Sequence, residues 1–261
     1  MRAQPIHREP ILKDVVDIIN PEGEGRFVLA CEHASNFIPP ELNNLGLRDE
    51  LLLSHIAWDS GAMSVARAMS ERLDAPLIAP GVSRLVYDCN RAPGLKSCVP
   101  ILSEHHEIPG NMGLSAEQCE ARARLYYTPF IEALQACLER KLGGEKPPVL
   151  MTIHSFTPVF KGVKRALDIG FLFDDDERFA RAMLHAGQSL TGLKFGMNEP
   201  YGPSDGVTHT LKEHAIGRGL LNVMVEIRND LIPDETAQAA MAETLAGLAQ
   251  AAEARLAGAA R

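Results

Sequence analysis

No apolar stretch in this sequence approaches the roughly 20 uninterrupted residues a membrane-spanning helix needs, and the opening MRAQPIHREPILKDVVDIIN lacks the apolar run of a secretory signal. A soluble, cytoplasmic protein is the expectation. Cysteine is scarce: Cys31, Cys89, Cys98, Cys119 and Cys137 are scattered, odd in number and without a CxxC pair. That argues against a disulfide framework and against a thiolate zinc knuckle, leaving reduced thiols, several of them buried. Basic residues are outnumbered, 26 Lys+Arg against 34 Asp+Glu, for a formal charge of −8. With no basic patch, neither nucleic acid nor an anionic membrane surface is an expected partner. GxGxxG and the P-loop pattern are both missing, which removes the simple dinucleotide-enzyme and NTPase readings. Repeats and low-complexity linkers are missing too, so residues 1–261 are read as a single domain.

What is present is a globular composition, 46% hydrophobic and 23% charged, in which apolar runs alternate with helical periodicity. Such alternation predicts an α/β layered architecture. Buried strands are predicted at 26–31, 149–154, 167–173 and 220–227. A helix is predicted over 60–73 behind a Ser60 N-cap and stopped by Pro76. Ser115 and Gln118 form a capping-box pair that opens a helical span ending at Gly143 and Gly144, with Pro129 predicting a kink or break inside it. Residues 80–112 read as a long loop with a brief strand around 85–87, and loops of that length tend to be functional. Helices are predicted to about residue 190 after the acidic 174–177, over 208–217, and from Pro233 onward, the last as an Ala-rich surface helix packed on the sheet. Residues 194–206, including GPSDG, read as loop and polar turn.

In an open α/β sheet, ligands bind at the carboxyl ends of strands, where loops present side chains to a crevice. Glu32, His33 and Asn36 follow the first apolar run, His154 closes the second, and Glu226 lies at the end of the last. A lone histidine at a strand end is more often a hydrogen-bonded residue than a ligand, but two imidazoles and a carboxylate that converge are a fair donor set for zinc, with a further acid left to act on water. Glu226, between Val225 and Ile227, needs a partner if it is buried: a metal, a proton, or an arginine such as Arg84 or Arg228. Asp59 reads either as a cap or as a member of the same centre. Arg84, Asn90 and Arg91 carry forked donors suited to a carboxylate, with a local salt bridge to Asp88 as the alternative. His105, His106, His209 and His214 fit loop surface or a helix without a shared face.

The segments CEHASNFIPP, HIAWDSGA, SRLVYDCNR, MTIHSFTPVF and VMVEIRNDL, in this order between about residues 31 and 231, resemble the N-formylglutamate amidohydrolase family. The resemblance implies a three-layer α/β/α fold around a mixed, mostly parallel sheet, similar to the zinc carboxypeptidases. It also implies zinc-dependent hydrolysis of an N-acyl amide of an acidic amino acid. Under it, His33 and His154 look like zinc ligands, Glu226 like the general base, and Arg84 like the group that polarises the carbonyl. Asn90, Arg91 and Ser155 look like the substrate-binding set. Where carboxypeptidases place a third ligand three residues after the first His, this chain has Asn36, so Asp59 or Glu32 must serve. Asp59 is favoured, because Glu32 and His33, as neighbours on extended chain, point to opposite faces. The expected partner is a small acylated amino acid, with the oligomeric state open. A metallo-amidase of other specificity and a metal-free dicarboxylate-binding protein are the rival readings.

Overall fold

An apolar run with no polar face has to be covered on both sides, and three of the predicted runs meet this need by lying side by side in the middle of one sheet. The computed structural model describes residues 15–190 and 192–259, so the reading of the opening segment lies largely outside the described residues. In chain order the elements are β1 (Val16–Ile19), β2 (Phe27–Ala30), α1 (Asp49–Leu52), α2 (Ala62–Leu73) and β3 (Leu77–Pro80). The small hairpin β4 (Leu102–Ser103) and β5 (His106–Glu107) follows, then α3 (Ala116–Arg122), α4 (Thr128–Leu142) and β6 (Val149–Phe156). A second small hairpin, β7 (Val159–Phe160) and β8 (Val163–Lys164), precedes β9 (Ile169–Leu172), α5 (Arg178–Leu190) and β10 (Phe195–Met197). The chain continues with α6 (His209–His214), β11 (Asn222–Arg228) and α7 (Glu235–Ala259).

Seven strands form one sheet in the order β1-β3-β2-β6-β11-β9-β10. The four central strands β3, β2, β6 and β11 run parallel, while β1 and β9 pair antiparallel at their flanks. The mixed, mostly parallel sheet with helices on both sides is the architecture expected from the sequence.

Alternation along each strand splits its residues between two cores. Leu29, Leu77, Met151, Ile153, Val223 and Val225 face α2, α5 and α7. Val28, Ala30, Ile78, Leu150 and Met224 face the layer that contains α4 and α6. Phe130, Leu134 and Leu138, four apart on α4, are fully buried there, and each contributes about 1.5–3 kcal/mol by leaving water. On α7, Ala242, Leu245, Ala246, Ala249 and Ala252 supply a largely small-residue stripe in the first core. That helix packs chiefly across α2 and α5, in the same core as the strand residues of this face.

Several local expectations hold, and several need correction. The capping box at Ser115 and Gln118 is formed. Pro129 produces no sharp break: residues 123–127 wind as a π-helical stretch just before it, and α4 restarts with the proline in its first turn, where its missing N–H costs nothing. Helix α2 begins one residue later than predicted. Its N-cap is Gly61 at φ +80°, where an added Cβ would lie 2.8 Å from Ile232, and Ser60 makes no cap. Residues 84–86 form a turn, and no strand runs through 85–87. The short strands β1, β3 and β10 were not predicted; three or four residues carry too little periodicity to announce themselves.

Among the described residues, no helix is long and apolar enough to cross a membrane. His214, at the end of α6, is fully buried, and neither ring nitrogen has a partner among the described residues. Burial, opposed by Glu213 and aided by His209 and Arg218, pushes its pKa down to about 4 from 6.5. The unfolded chain therefore takes up the proton first as the pH falls. Stability present at neutral pH is lost through the window from about 6.5 to 4. Between pH 7 and pH 4 the wild type should lose about 3 kcal/mol more unfolding free energy than a His214→Leu variant. Urea titrations at each pH measure this, and parallel curves for the two proteins would show that the imidazole does not titrate as described.

Candidate active site

Parallel pairing of β6 with β11 sets Glu226 directly opposite His154. Both occupy the alternate positions shared with Leu150 and Met224, so both side chains leave the sheet on its α4 side. Strand β2 flanks β6 on its other edge, and the chain beyond Ala30 brings Glu32 and His33 to the same end of the sheet. Asp59 arrives from the segment before α2. Its backbone N–H donates to the His33 carbonyl at 3.0 Å. Ser155 fixes the same segment, its Oγ donating to the Ser60 carbonyl at 2.9 Å and its N–H reaching Asp59 Oδ2 at 3.4 Å.

The two imidazoles stand edge to face with ring centres 4.9 Å apart. Both turn Nδ1 toward Asp59 Oδ2, His33 at 3.3 Å and His154 at 2.8 Å. Each Nε2 meets a different carboxylate: Asp88 Oδ1 lies 2.8 Å from His33, and Glu32 Oε2 lies 2.9 Å from His154. Glu32 thus sits on the far side of His154 from Asp59. A carboxylate behind each imidazole fixes its ring orientation and tautomer, an arrangement that recurs around metal-ligating histidines.

Charge decides what these groups do. Burial favours the neutral acid at Asp59 and Asp88, but His33, with His154 at Asp59 and Arg84 at Asp88, outweighs it and holds both carboxyls far below the ordinary range. Glu32 is lowered despite its burial through His154. Burial opposes a charge on His154, yet Glu32 and Asp59 raise its pKa well above the usual value. Glu226 differs. It is 5% exposed, its Oε2 has no partner among the described residues, and burial pushes its pKa up to about 7, with His154 opposing and Asp59 adding to the rise.

One donor atom from each of His33, Asp59 and His154 lies within 4.8 Å of the others. Tetrahedral zinc, with ligand bonds near 2.0–2.1 Å, needs donors about 3.3 Å apart. The 3.3 Å separation of Asp59 from His33 matches that spacing, and the 2.8 Å separation from His154 is shorter. The chemistry of the donors fits too: Glu32, Asp59 and Asp88 are held ionised around the two imidazoles, a setting that favours a cation. A cation among these atoms would replace the proton that His154 now shares with its carboxylates. The residues present therefore fit a divalent metal.

A cavity of about 570 Å³ opens over this centre and is lined by His33, Asp59, Arg84, Asn90, Arg91, His154, Ser155 and Glu226. These eight residues, all singled out from the sequence, thus line one space, whereas Glu32 and Asn36 do not. Arg84 reaches Asp59 Oδ1 at 3.4 Å and Asp88 Oδ2 at 3.3 Å. Arg91 lies 3.6 Å from Asp88 and donates to the Asp205 carbonyl at 2.9 Å. The local salt bridge weighed as an alternative is thus real, and it belongs to the site because Asp88 holds His33. Both ends of the Asn90 amide are engaged, Nδ2 donating to the Val207 carbonyl at 2.6 Å and Oδ1 accepting from Thr210. Asn36 donates to the Leu52 carbonyl, outside the centre. Arg228 pairs with Asp168 and Asp230, and Glu226 forms no ion pair with it or with Arg84 among the described residues. His209 meets the Tyr127 hydroxyl at 2.8 Å. The reading from sequence missed Asp88 as a partner of His33; its only signal was an acid standing between two arginines. It also missed Arg165 and Tyr201, which line the same cavity.

Paired imidazoles, their supporting carboxylates and an unpaired buried acid, gathered at the carboxyl ends of parallel strands, are the equipment of a hydrolytic α/β enzyme. A family model of N-formylglutamate amidohydrolase matches residues 25–233, and the chain belongs to that family. It is similar to a solved gene product of Agrobacterium tumefaciens, with 45% identity over 93% of this chain and 96% of that one and a TM-score of 0.90. The fold is also that of an N-formylglutamate amidohydrolase from Ralstonia eutropha, at 19% identity over 94% and 99% of the two chains and a TM-score of 0.66. No match is found among curated proteins.

Replacing Asp88 by Asn removes the charge behind His33 while nearly preserving shape. Asp88→Asn is expected to weaken divalent-ion retention by roughly 10- to 100-fold, as measured by competition with a chelator. Unchanged retention would detach Asp88 from the centre.

Proposed function

We propose that this chain hydrolyses the formyl amide of N-formyl-L-glutamate, releasing formate and glutamate, with zinc as its cofactor. The observation that carries this reading is the convergence of His33, Asp59 and His154 on one point beside the unpaired Glu226. His33, Asp59 and His154 would hold the ion, which supplies Lewis acidity, acidifying water toward a pKa of about 7 and polarising the acyl oxygen.

The remaining work falls to the chain's own side chains. Glu226, poised near pH 7, takes a proton from the attacking water. The water oxygen bonds to the formyl carbon, and the C–N bond breaks as Glu226 delivers that proton to the leaving nitrogen. Formate and a free amine result. Arg84 faces the same cavity and donates to the acyl oxygen as negative charge grows there, a type of interaction worth about 3–4 kcal/mol per donor. Arg91 receives the α-carboxylate through its fork, which holds the acyl carbon in place for attack. Asn90 and Ser155 act by positioning: Asn90 ties the Arg91 loop to Val207 and Thr210, and Ser155 ties the Asp59 segment to β6. The partner is a small acylated amino acid.

Glu226→Gln is expected to lower kcat by roughly 10²- to 10⁴-fold while the zinc content of the purified protein stays the same. In the wild type, chelation should abolish turnover and added zinc restore it. A variant as active as the wild type would sink the role given to Glu226, and undiminished turnover after complete metal removal would sink the cofactor.

A further inference from the structure

Three guanidinium groups line the cavity, those of Arg84, Arg91 and Arg165. The first two are matched by Asp59 and Asp88. Among the described residues, no carboxylate pairs with Arg165. It follows the hairpin β7–β8, and its backbone N–H donates to the Pro158 carbonyl at 2.8 Å, closing that hairpin. Its guanidinium carbon lies 4.6 Å from the ring centres of Phe160 and Tyr201 and 5.4 Å from that of Phe156. Nη1 donates to the Tyr201 hydroxyl at 2.9 Å.

Aromatic faces steady a guanidinium and strip water from it, but they do not satisfy the N–H groups along its edge. Tyr201 takes one of five such donors. A cation held in this way without a counter-ion, and opening into a cavity, is a receptor for an anion from solution. Tyr201 also feels the charges of Glu226 and Arg84, so this part of the cavity adjoins the reacting centre. We propose that Arg165, oriented by Tyr201, binds the side-chain carboxylate of the substrate and restricts the enzyme to N-acylated acidic amino acids. The assignment rests on the amidohydrolase reading above, in which Arg91 takes the α-carboxylate and leaves the second one to be received.

The test compares N-formyl-L-glutamate with its isostere N-formyl-L-glutamine, which keeps the α-carboxylate but has an uncharged side chain, using the full-length, zinc-loaded protein. In Arg165→Gln, kcat/KM for the glutamate compound should fall roughly 10- to 100-fold, mainly through KM, with a change of about twofold or less for the glutamine compound. Arg165→Lys, which keeps the charge without the fork, should restore part of the preference. Tyr201→Phe, which keeps the ring but not the hydroxyl, should lose part of it. Calorimetry of glutarate and butyrate binding provides a readout independent of turnover: the wild type should favour glutarate and Arg165→Gln should not. If the wild type hydrolyses neither formyl compound, the functional reading fails, while the glutarate preference still decides the subsite. Equal losses for both substrates, or an Arg165→Gln protein that still favours glutarate, overturn the assignment.

Discussion

Glu32, Asp59, Asp88 and Glu226 lie almost wholly out of water at one end of the central strands, and this concentration of acid is the constraint to which the rest of the molecule is fitted. A buried carboxylate without a partner takes up a proton or destabilises the fold, and removing one member of a buried pair typically costs about 3–5 kcal/mol. Glu32, Asp59 and Asp88 escape this through His33, His154 and Arg84, each contact reinforcing the next. Glu226 does not, and its displaced pKa is the direct consequence. The group left uncompensated is the one assigned the proton-transfer step.

Holding such a cluster together demands that five segments of chain arrive at once. Parallel pairing of β6 with β11 puts Glu226 beside His154 without any loop being involved. The other members come from loops, and the Asp59 loop is tied down close to its functional residue: the Asp59 N–H donates to the His33 carbonyl, and the Ser155 hydroxyl donates to the Ser60 carbonyl. Gly61 allows the turn from Asp59 into α2, because its left-handed φ and its closeness to Ile232 leave no room for a side chain. Loops fastened at the point of use give up little on binding a ligand, which is the structural form of preorganisation.

Arginine is divided between two tasks in the cavity. Arg84 and Arg91 are committed to Asp88 and Asp59 and hold the negative centre together. Arg165, framed by rings in the same cavity, carries a charge that no carboxylate among the described residues cancels. A dicarboxylate thus meets one guanidinium built into the reacting centre and one reserved for the end of its side chain.

The sequence by itself determined the layered α/β plan, because runs such as VLMTIH and LLNVMVEI require cover on both faces, and local signals such as the Ser115 capping box act within a few residues. It also marked His33, His154 and Glu226, since polar groups closing apolar runs stand out against their surroundings. The strands β1, β3 and β10 escaped because their stability comes from neighbours, not from a pattern of their own. Only the tertiary structure decided that Asp59 and not Glu32 joins the two Nδ1 atoms, that Asp88 stands behind His33, that the Asn90 amide is engaged, and that Arg165 is left without an acid among the described residues. Periodicity is a property of adjacent residues, whereas the choice of a charge's partner depends on distance in space. Here those partners are separated by as many as 122 positions along the chain.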